Sequence, residues 1–256
     1  HSLPERLGRL AADALYEEVW ATPKPGLVDR ANNGAHDDMD YASFLASATV
    51  LRPWFVRCAE EGTRHASPRA ALDALRPVGL AAEREMYEAT GGVNTHKGAL
   101  FSLGLLCAAA TRVDARGARA DGLCAREDGA LNARPPQTRG EQMYLAHGVR
   151  GVRGEAEAGF PSVLDLALPA LCGASDRNEA LVTALLRLMA TLTDTNVLGR
   201  GGLPAAQSVR ARAAVCRTLA DASALDEALT HERLSPGGCA DLLAVSVFFD
   251  SLNFEI

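Results

Sequence analysis

Residues 98–111 read GALFSLGLLCAAAT, a stretch that is apolar on nearly every side of a helix with 3.6 residues per turn. A helix that is apolar all round is buried on all sides, so this segment predicts a central helix. Apolar residues keep helical spacing on both sides of it, and the alternation that indicates strands is nearly absent. The sequence therefore predicts an all-α fold around residues 98–111.

The helices predicted around this centre form a single compact domain over residues 1–256. Residues 113–138 have no apolar period and are rich in Arg, Asp, Gly and Pro, which predicts an exposed loop. Because the segments on both sides of that loop are strongly apolar, we expect them to pack together within one domain. The predicted helices cover residues 3–21, 40–61, 68–89, 98–111, 139–148, 162–173, 177–192, 204–221, 223–233 and 238–251.

Composition is that of an ordinary globular protein and excludes several functional classes. Hydrophobic residues are 48% and charged residues 23% of the chain, which excludes a disordered or collagen-like protein. A net charge of −6 argues against nucleic-acid binding, and no apolar run reaches the ~20 residues of a membrane span. The six cysteines form no CxxC pair and no export signal is visible, so we expect reduced thiols in a cytoplasmic protein.

Four long polar loops separate the predicted helices, at residues 22–38, 91–98, 149–161 and 193–204. They are rich in glycine, Asp, Asn, His, Lys and Arg, whereas connections between packed helices are usually short. Loops held by a rigid scaffold often carry function, so we expect these four to converge on one pocket. A pocket with both cations and carboxylates suits a phosphate-bearing substrate bound with Mg²⁺.

The candidate site residues lie in these loops, and each has a structural alternative. The only two lysines of the chain are both in the loops, although it has 24 arginines. The carboxylates could instead cap helices, Asp38 above all because it precedes the helix predicted from residue 40, and Arg153 could form an ion pair with Glu155. The candidates are Lys24, Asp29, His36, Asp38, Asn94, His96, Lys97, Arg153, Glu155, Asp194, Asn196 and Arg200.

Common nucleotide-binding and hydrolase motifs are absent from the sequence. GGVNTHKG at residues 91–98 lacks the spacing of a P-loop and follows no predicted strand. The His36-Asp37 dipeptide occurs in helical metal-dependent phosphohydrolases, but these also need further histidine ligands, so the dipeptide alone is a weak signal.

Taken together, the loops resemble the CitG/MdcB family of triphosphoribosyl-dephospho-CoA synthases. The match runs in order along most of the chain and fails only across residues 112–138. It is carried by TPKPGLVDRANNGAHDDM (22–39), GGVNTHKGALFSLGLLCAAA (91–110), RGEAEAGFPSV (153–163), DTNVLGRGG (194–202) and LSPGGCADLLAVSVFFDSL (234–252).

The resemblance implies an enzyme that transfers the 5-triphosphoribosyl group of ATP to the 2′-hydroxyl of 3′-dephospho-CoA and releases adenine. It also implies that a separate transferase attaches the product to an acyl-carrier subunit, in malonate decarboxylase or citrate lyase. Two alternatives stay open: a metal-dependent nucleotide phosphohydrolase on a helical scaffold, and a non-catalytic nucleotide-binding partner of the carrier protein. The sequence leaves a homo-oligomer open.

This chemistry gives the candidates hypothetical roles. Breaking an N-glycosidic bond creates an oxocarbenium-like centre, which carboxylates stabilise, and the acceptor hydroxyl needs a base. Asp29 is the first candidate for that base and Asp38 the second, while His36 or His96 would assist adenine departure. The remaining hypotheses place the triphosphate on Lys24, Asn94, Lys97, Arg153, Asn196 and Arg200, and Mg²⁺ on Glu155 and Asp194.

Overall fold

The computed structural model describes residues 2–112, 139–172 and 174–255, and these contain eleven α-helices, one π-helical segment and no strand. The prediction of an all-α fold is confirmed, whereas the loop predicted at 113–138 lies outside the described residues. The helices are α1 (Leu3–Trp20), α2 (Tyr41–Arg64), α3 (Pro68–Ala89), α4 (Lys97–Arg112), α5 (Arg139–His147), α6 (Gly151–Glu157), α7 (Leu168–Leu171), α8 (Arg177–Thr191), α9 (Thr195–Val215), α10 (Leu219–His231) and α11 (Gly237–Glu255), with the π-helical segment at Val163–Ala167.

Helix α4 lies at the centre of the bundle, as its sequence predicts. It packs against α1, α2, α3 and α11, and its buried residues occupy every side of the helix. Glycines bring the neighbouring helices close: a Cβ on Gly8 of α1 would lie 2.4 Å from Cγ2 of Val56. A Cβ on Gly62 of α2 would lie 2.3 Å from the carbonyl oxygen of Ala108 in α4. Glycines at these helix contacts thus allow close packing of the core helices.

Side-chain caps fix where the helices begin. Helix α2 follows Asp40, whose carboxylate accepts a hydrogen bond from the backbone N–H of Ser43 at 2.8 Å. Asp38, the cap considered from the sequence, lies two residues earlier with its side chain 64% exposed. That alternative is wrong, because the extended backbone at Asp40 places its own carboxylate over the first turn.

Helices occupy parts of two segments predicted as loops. Helix α6 lies inside residues 149–161, and α9 begins at Thr195 rather than at residue 204. The Asp194 carboxylate accepts the N–H groups of Asn196 and Val197, which caps α9 in spite of its glycines. Gly202 breaks the helical geometry with φ of 71°, so the predicted start corresponds to the second half of α9.

The ends of α9 and α10 also differ from the sequence prediction. Helix α9 ends at Val215, and Thr218 caps α10 by accepting the N–H of Asp221 at 3.1 Å. Within the described residues no single helix is long and apolar enough to cross a membrane. Only α8 and α9 taken together, across a bend of 52°, reach that length and composition.

Candidate active site

Two neighbouring cavities lie on either side of the first turn of α11. The first, called here the polar cavity, has a volume of about 290 Å³ and lies among the ends of α1, α4, α9 and α11 and the loop between α1 and α2. The second, called the apolar cavity, has about 340 Å³ and is lined mainly by residues 149–152, residues 154–155, residues 192–195 and Leu242. Gly237 faces the polar cavity, and Gly238 and Cys239 face the apolar one.

The structure divides the predicted site residues between these cavities. Glu155 and Asp194 line the apolar cavity, and neither Asp29 nor Arg153 lines either of the two. Three of the four polar loops contribute to the polar cavity, and the loop at 149–161 lines the other. The eight candidates that meet at the polar cavity are Lys24, His36, Asp38, Asn94, His96, Lys97, Asn196 and Arg200.

Lys24 lies at the inner wall of the polar cavity and is only 1% exposed. Its ammonium forms a short ion pair with the buried carboxylate of Glu18 in α1. Burial raises the pKa of Glu18, and the Lys24 ammonium opposes that rise. Sequence reasoning missed Glu18, although a carboxylate on the apolar face of α1, one turn after Ala14, is the signal that could have revealed it.

Asp29 organises the loop that carries Lys24. Its Oδ2 accepts the backbone N–H of Lys24 at 3.0 Å, and its Oδ1 accepts those of Ala31 and Asn32 at 2.7 and 3.1 Å. Because three backbone donors already bind this carboxylate, its visible function is to fix the loop conformation. Its role as catalytic base stays a prediction.

A second aspartate, missed by sequence reasoning, anchors the same loop from α10. Asp226 accepts the N–H of Gly26 and the amide of Asn32, both at 2.8 Å. Gly26 has φ of 71°, and a Cβ there would lie 2.2 Å from the carbonyl oxygen of Leu234. Only glycine fits this position, so the loop is held against the C-terminal part of the chain.

His96 presents a neutral imidazole at the wall of the polar cavity. Its Nδ1 is hydrogen-bonded to Oγ of Ser47 at 2.7 Å, and its ring packs nearly perpendicular to the Phe44 ring. Its buried Nε2 has no hydrogen-bond partner among the described residues. Burial, with a smaller contribution from the Lys24 charge, lowers the pKa of His96 to about 3.

His36 and Arg200 occupy the outer side of the polar cavity. His36 Nε2 is 2.8 Å from Oγ of Ser235, and its Nδ1 is 3.4 Å from the Arg200 guanidinium. Burial and the Arg200 charge lower the pKa of His36, while Asp38 opposes the shift. Arg200 also donates to the carbonyl oxygens of Ala35 and Arg233, so its charge is fixed in place.

Asn94 and Lys97 lie at the beginning of α4. Oδ1 of Asn94 accepts the backbone N–H of Lys97 at 3.1 Å and caps the helix. The Lys97 ammonium is 2.6 Å from Oε1 of Glu83 and its side chain is 40% exposed. Lys97 is thus a solvent-accessible cation at a helix N-terminus, a place where phosphates commonly bind.

Asp241 of α11 lines the polar cavity and was not singled out from the sequence. Its Oδ1 accepts the backbone N–H of Ala99 at 3.0 Å, and a Cβ on Gly98 would lie 2.0 Å from its Oδ2. Burial, then the negative charges of Glu18 and Asp194, raises the pKa of Asp241 well above its usual range. A carboxylate within a strongly apolar helix is the signal that could have identified it.

The carboxylates of the apolar cavity are bound by protein donors. Asp194 Oδ2 accepts the N–H of Cys239 at 2.9 Å, in addition to the bonds that cap α9. Glu155 accepts the N–H and the hydroxyl of Ser162 at 3.0 and 2.7 Å. Arg153 pairs with Glu157 at 3.3 Å, so the alternative of an Arg153–Glu155 ion pair is wrong.

A protein-held magnesium ion finds little support in this arrangement. Among the described residues no group of three or more His, Cys, Asp or Glu side chains is placed to hold a metal. The predicted ligands Glu155 and Asp194 already bind backbone or hydroxyl donors. The residues do not fit a resident metal with several protein ligands, whereas magnesium carried by phosphate oxygens needs few or none.

Comparison with known proteins identifies the family. Residues 4–255 match the family model described as ATP:dephospho-CoA triphosphoribosyl transferase. The chain belongs to this family. Membership in this triphosphoribosyl transferase family confirms the resemblance found in the sequence and makes the chain a transferase that acts on ATP and dephospho-CoA to make 2′-(5″-triphosphoribosyl)-3′-dephospho-CoA.

Individual relatives agree with the family match. A 2-(5''-triphosphoribosyl)-3'-dephosphocoenzyme-A synthase of Pectobacterium atrosepticum is 47% identical, over 92% of this chain and 85% of the relative. A protein of the same name from Klebsiella pneumoniae is 42% identical, over 93% of this chain and 88% of the relative. A crystal structure from Archaeoglobus fulgidus, provisionally described as a triphosphoribosyl-dephospho-CoA synthase, has a TM-score of 0.59. It covers 81% of this chain and 98% of its own at 23% identity, and supports the fold alone.

Proposed function

We propose that the polar cavity is where the triphosphoribosyl group leaves adenine and joins the 2′-hydroxyl of 3′-dephospho-CoA. The observation that carries this proposal is the meeting of eight predicted site residues at one cavity. It combines cations with neutral histidines and carboxylates, which are the groups that this transfer needs.

The triphosphate has to be held without being cut, because it is transferred intact. Lys97 and Arg200 are the cations at the cavity wall that can meet phosphate oxygens, and Asn94 and Asn196 lie beside them. Lys24 contributes a buried positive charge that Glu18 already balances. The predicted phosphate contact of Arg153 has less support, because its side chain pairs with Glu157 and lines neither cavity.

The two predicted bases differ in what their carboxylates already bind. Asp29 is bound by three backbone N–H groups, whereas Asp38 lines the polar cavity with an exposed side chain. We therefore favour Asp38 as the base for the acceptor hydroxyl. His36 and His96 are held neutral, so they would assist adenine by hydrogen bonding and not as imidazolium acids.

Magnesium enters this proposal as part of the MgATP substrate, in which it neutralises charge on the phosphate oxygens. We also propose, from the resemblance, that a separate transferase attaches the product to the acyl-carrier subunit of malonate decarboxylase or citrate lyase. The reaction would take place in the cytoplasm.

The direct test mixes the purified protein with ATP, 3′-dephospho-CoA and Mg²⁺ and follows the products by mass spectrometry. We expect free adenine together with a coupled product that is heavier by one triphosphoribosyl group. Release of phosphate without adenine would favour the phosphohydrolase, and binding of ATP without turnover would favour the non-catalytic partner.

Arg200→Ala tests whether the reaction takes place in the polar cavity, and Arg212→Ala is the matched control. Arg212 pairs with Glu232 on the surface and lines neither cavity. We expect Arg200→Ala to lower adenine release by about tenfold or more, since a hydrogen bond to a charged group contributes about 1.5–3 kcal/mol. Equal activity of the two variants would contradict the placement.

A further inference from the structure

The departing adenine needs a proton that the predicted residues do not supply. When the bond between ribose C1′ and adenine N9 breaks, its electron pair goes to the purine, and protonation of a ring nitrogen avoids an adenine anion. His36 and His96 are the histidines at the polar cavity, and both are held neutral. The polar cavity therefore needs a proton donor other than these two histidines.

One carboxyl oxygen of Asp241 accepts a hydrogen bond from a described residue and the other does not. Its Oδ1 accepts the N–H of Ala99, while no described residue donates a hydrogen bond to its Oδ2. Oδ1 cannot donate toward an N–H that points at it, so a proton on this carboxyl group resides on Oδ2. Oδ2 lies beside the Cα of Gly98, and both residues line the polar cavity.

Asp241 differs from three other aspartates of this region in the number of hydrogen bonds that its carboxyl group accepts. Asp194 and Asp29 each accept three backbone N–H groups, which occupy both oxygens of each carboxylate. Asp226 accepts three donors, from Gly26, Asn32 and the Thr230 hydroxyl. Asp241 accepts only one, and so is the least committed to structure of these four aspartates.

We propose that Asp241 is the general acid that donates its Oδ2 proton to adenine as the N-glycosidic bond breaks. The proposal deepens the function given above and rests on it. The C1′–N9 bond breaks and a C1′–O bond to the acceptor forms. The proton of the 2′-hydroxyl passes to the base, the Asp241 proton passes to adenine, and exchange with solvent restores both groups.

The charges around Asp241 favour the protonated acid. Burial raises the pKa of Asp241 well above the usual value, and the negative charges of Glu18 of α1 and Asp194 before α9 add to that rise. The Ala99 N–H of α4 opposes this shift. Lys24 is paired with Glu18, and His96 is neutral, so neither supplies a free positive charge to ionise Asp241.

Asp241→Asn is the decisive variant, because the asparagine carbonyl can still accept the Ala99 N–H while the acidic proton is lost. We expect kcat for adenine release to fall about 10²-fold or more, as general acids contribute about 10²–10⁴-fold. KM for ATP and for dephospho-CoA should change little. The melting temperature should stay close to that of the wild type, since the protonated acid and the amide are both neutral and both can accept the Ala99 N–H.

The pH profile separates an acid from a structural residue. A raised pKa keeps Asp241 protonated at low and neutral pH, so wild-type kcat should fall as pH rises through that pKa. This alkaline decrease should disappear in Asp241→Asn and shift in Asp241→Glu. Asp250→Asn is the matched control on the same helix, because Asp250 pairs with Arg177 and lines neither cavity. The fall of kcat at alkaline pH should persist in this variant.

Three outcomes would overturn the inference. An Asp241→Asn enzyme within about threefold of wild type would show that no proton from this residue is needed. A slow variant that keeps the alkaline decrease at the same pH, or one that loses activity only through a lower melting temperature, would show a structural role. A folded wild-type protein that releases no adenine would instead overturn the proposed function, and this inference with it.

Discussion

The polar and apolar cavities are similar in volume and share the first turn of α11, yet they use their charged groups differently. In the apolar cavity, the oxygens of Asp194 and Glu155 accept hydrogen bonds that hold helix ends and turns together. In the polar cavity, Asp241 and His96 each keep a polar atom without a partner among the described residues. The two cavities thus differ in the hydrogen bonds that their side chains leave open, and not in the number of charges in their loops.

The largest effect should come from the buried ion pair below the polar cavity. Lys24→Met leaves the Glu18 carboxylate buried without its partner, which costs about 3–5 kcal/mol of unfolding free energy. Denaturation in urea measures the loss. The double variant Glu18→Gln/Lys24→Met should recover much of it, because the unpaired charge is gone, and a double variant as unstable as the single one would contradict this explanation.

The next largest effect concerns pH. The ordinary pKa of His96 in an unfolded chain is 6.5, and the folded protein lowers it to about 3. The unfolded state therefore gains a proton first, so stability falls as pH drops from 6.5 toward 3, by about 2 kcal/mol at pH 5.

Unfolding free energies at pH 7 and pH 5 check this value, with His96→Asn as the comparison because its amide can still reach Ser47. The variant should lose about 2 kcal/mol less than the wild type between these two pH values. Equal losses would show that other groups cause the acid sensitivity.

In the apolar cavity, Asp194→Ala should act on stability. It removes the cap of α9 and leaves the Cys239 N–H without its acceptor, at a cost of about 1–2 kcal/mol. The Mg²⁺ concentration for half-maximal activity should not change. An increased requirement for Mg²⁺ would instead support the predicted role of Asp194 as a magnesium ligand, and Glu155→Ala provides a second test of that prediction.

The smallest effect is expected at Lys97. Lys97→Ala should lower kcat/KM for ATP by about tenfold, which corresponds to ~1.4 kcal/mol, because an exposed cation at a helix N-terminus gains only part of its Coulomb energy. Lys97→Arg should retain most of the activity. A decrease larger than that of Arg200→Ala would reverse the assigned order of the two phosphate contacts.

The sequence predicted the fold well, for identifiable reasons. Residues 98–111 are apolar on nearly all sides, and only a central helix can bury such a surface. The polar loops were visible because polar side chains interrupted apolar periodicity. Helix α9 was placed too late because a single cap, Asp194, outweighs the glycines that follow it.

The roles within the site were less predictable, because they depend on partners far apart in the chain. Nothing in the sequence distinguishes the carboxylates of Asp29 and Asp241. In the structure, Asp29 accepts three backbone N–H groups and Asp241 accepts a single one. Arg153 is next to Glu155 in its motif yet pairs with Glu157, one helical turn away. Glu18 and Asp241 were missed because they lie within helices and outside the four polar loops.

The bonds that complete the polar cavity also set the order in which a newly synthesised chain can become active. The Ala99–Asp241 hydrogen bond joins residues 142 positions apart, and the Gly26–Asp226 bond spans 200. Helices α1 to α4 leave the ribosome long before α10 and α11, so the loop between α1 and α2 meets its anchor only after α10 has been synthesised. The growing chain therefore lacks a complete polar cavity until α11 docks, and the transfer proposed for that cavity can begin only then.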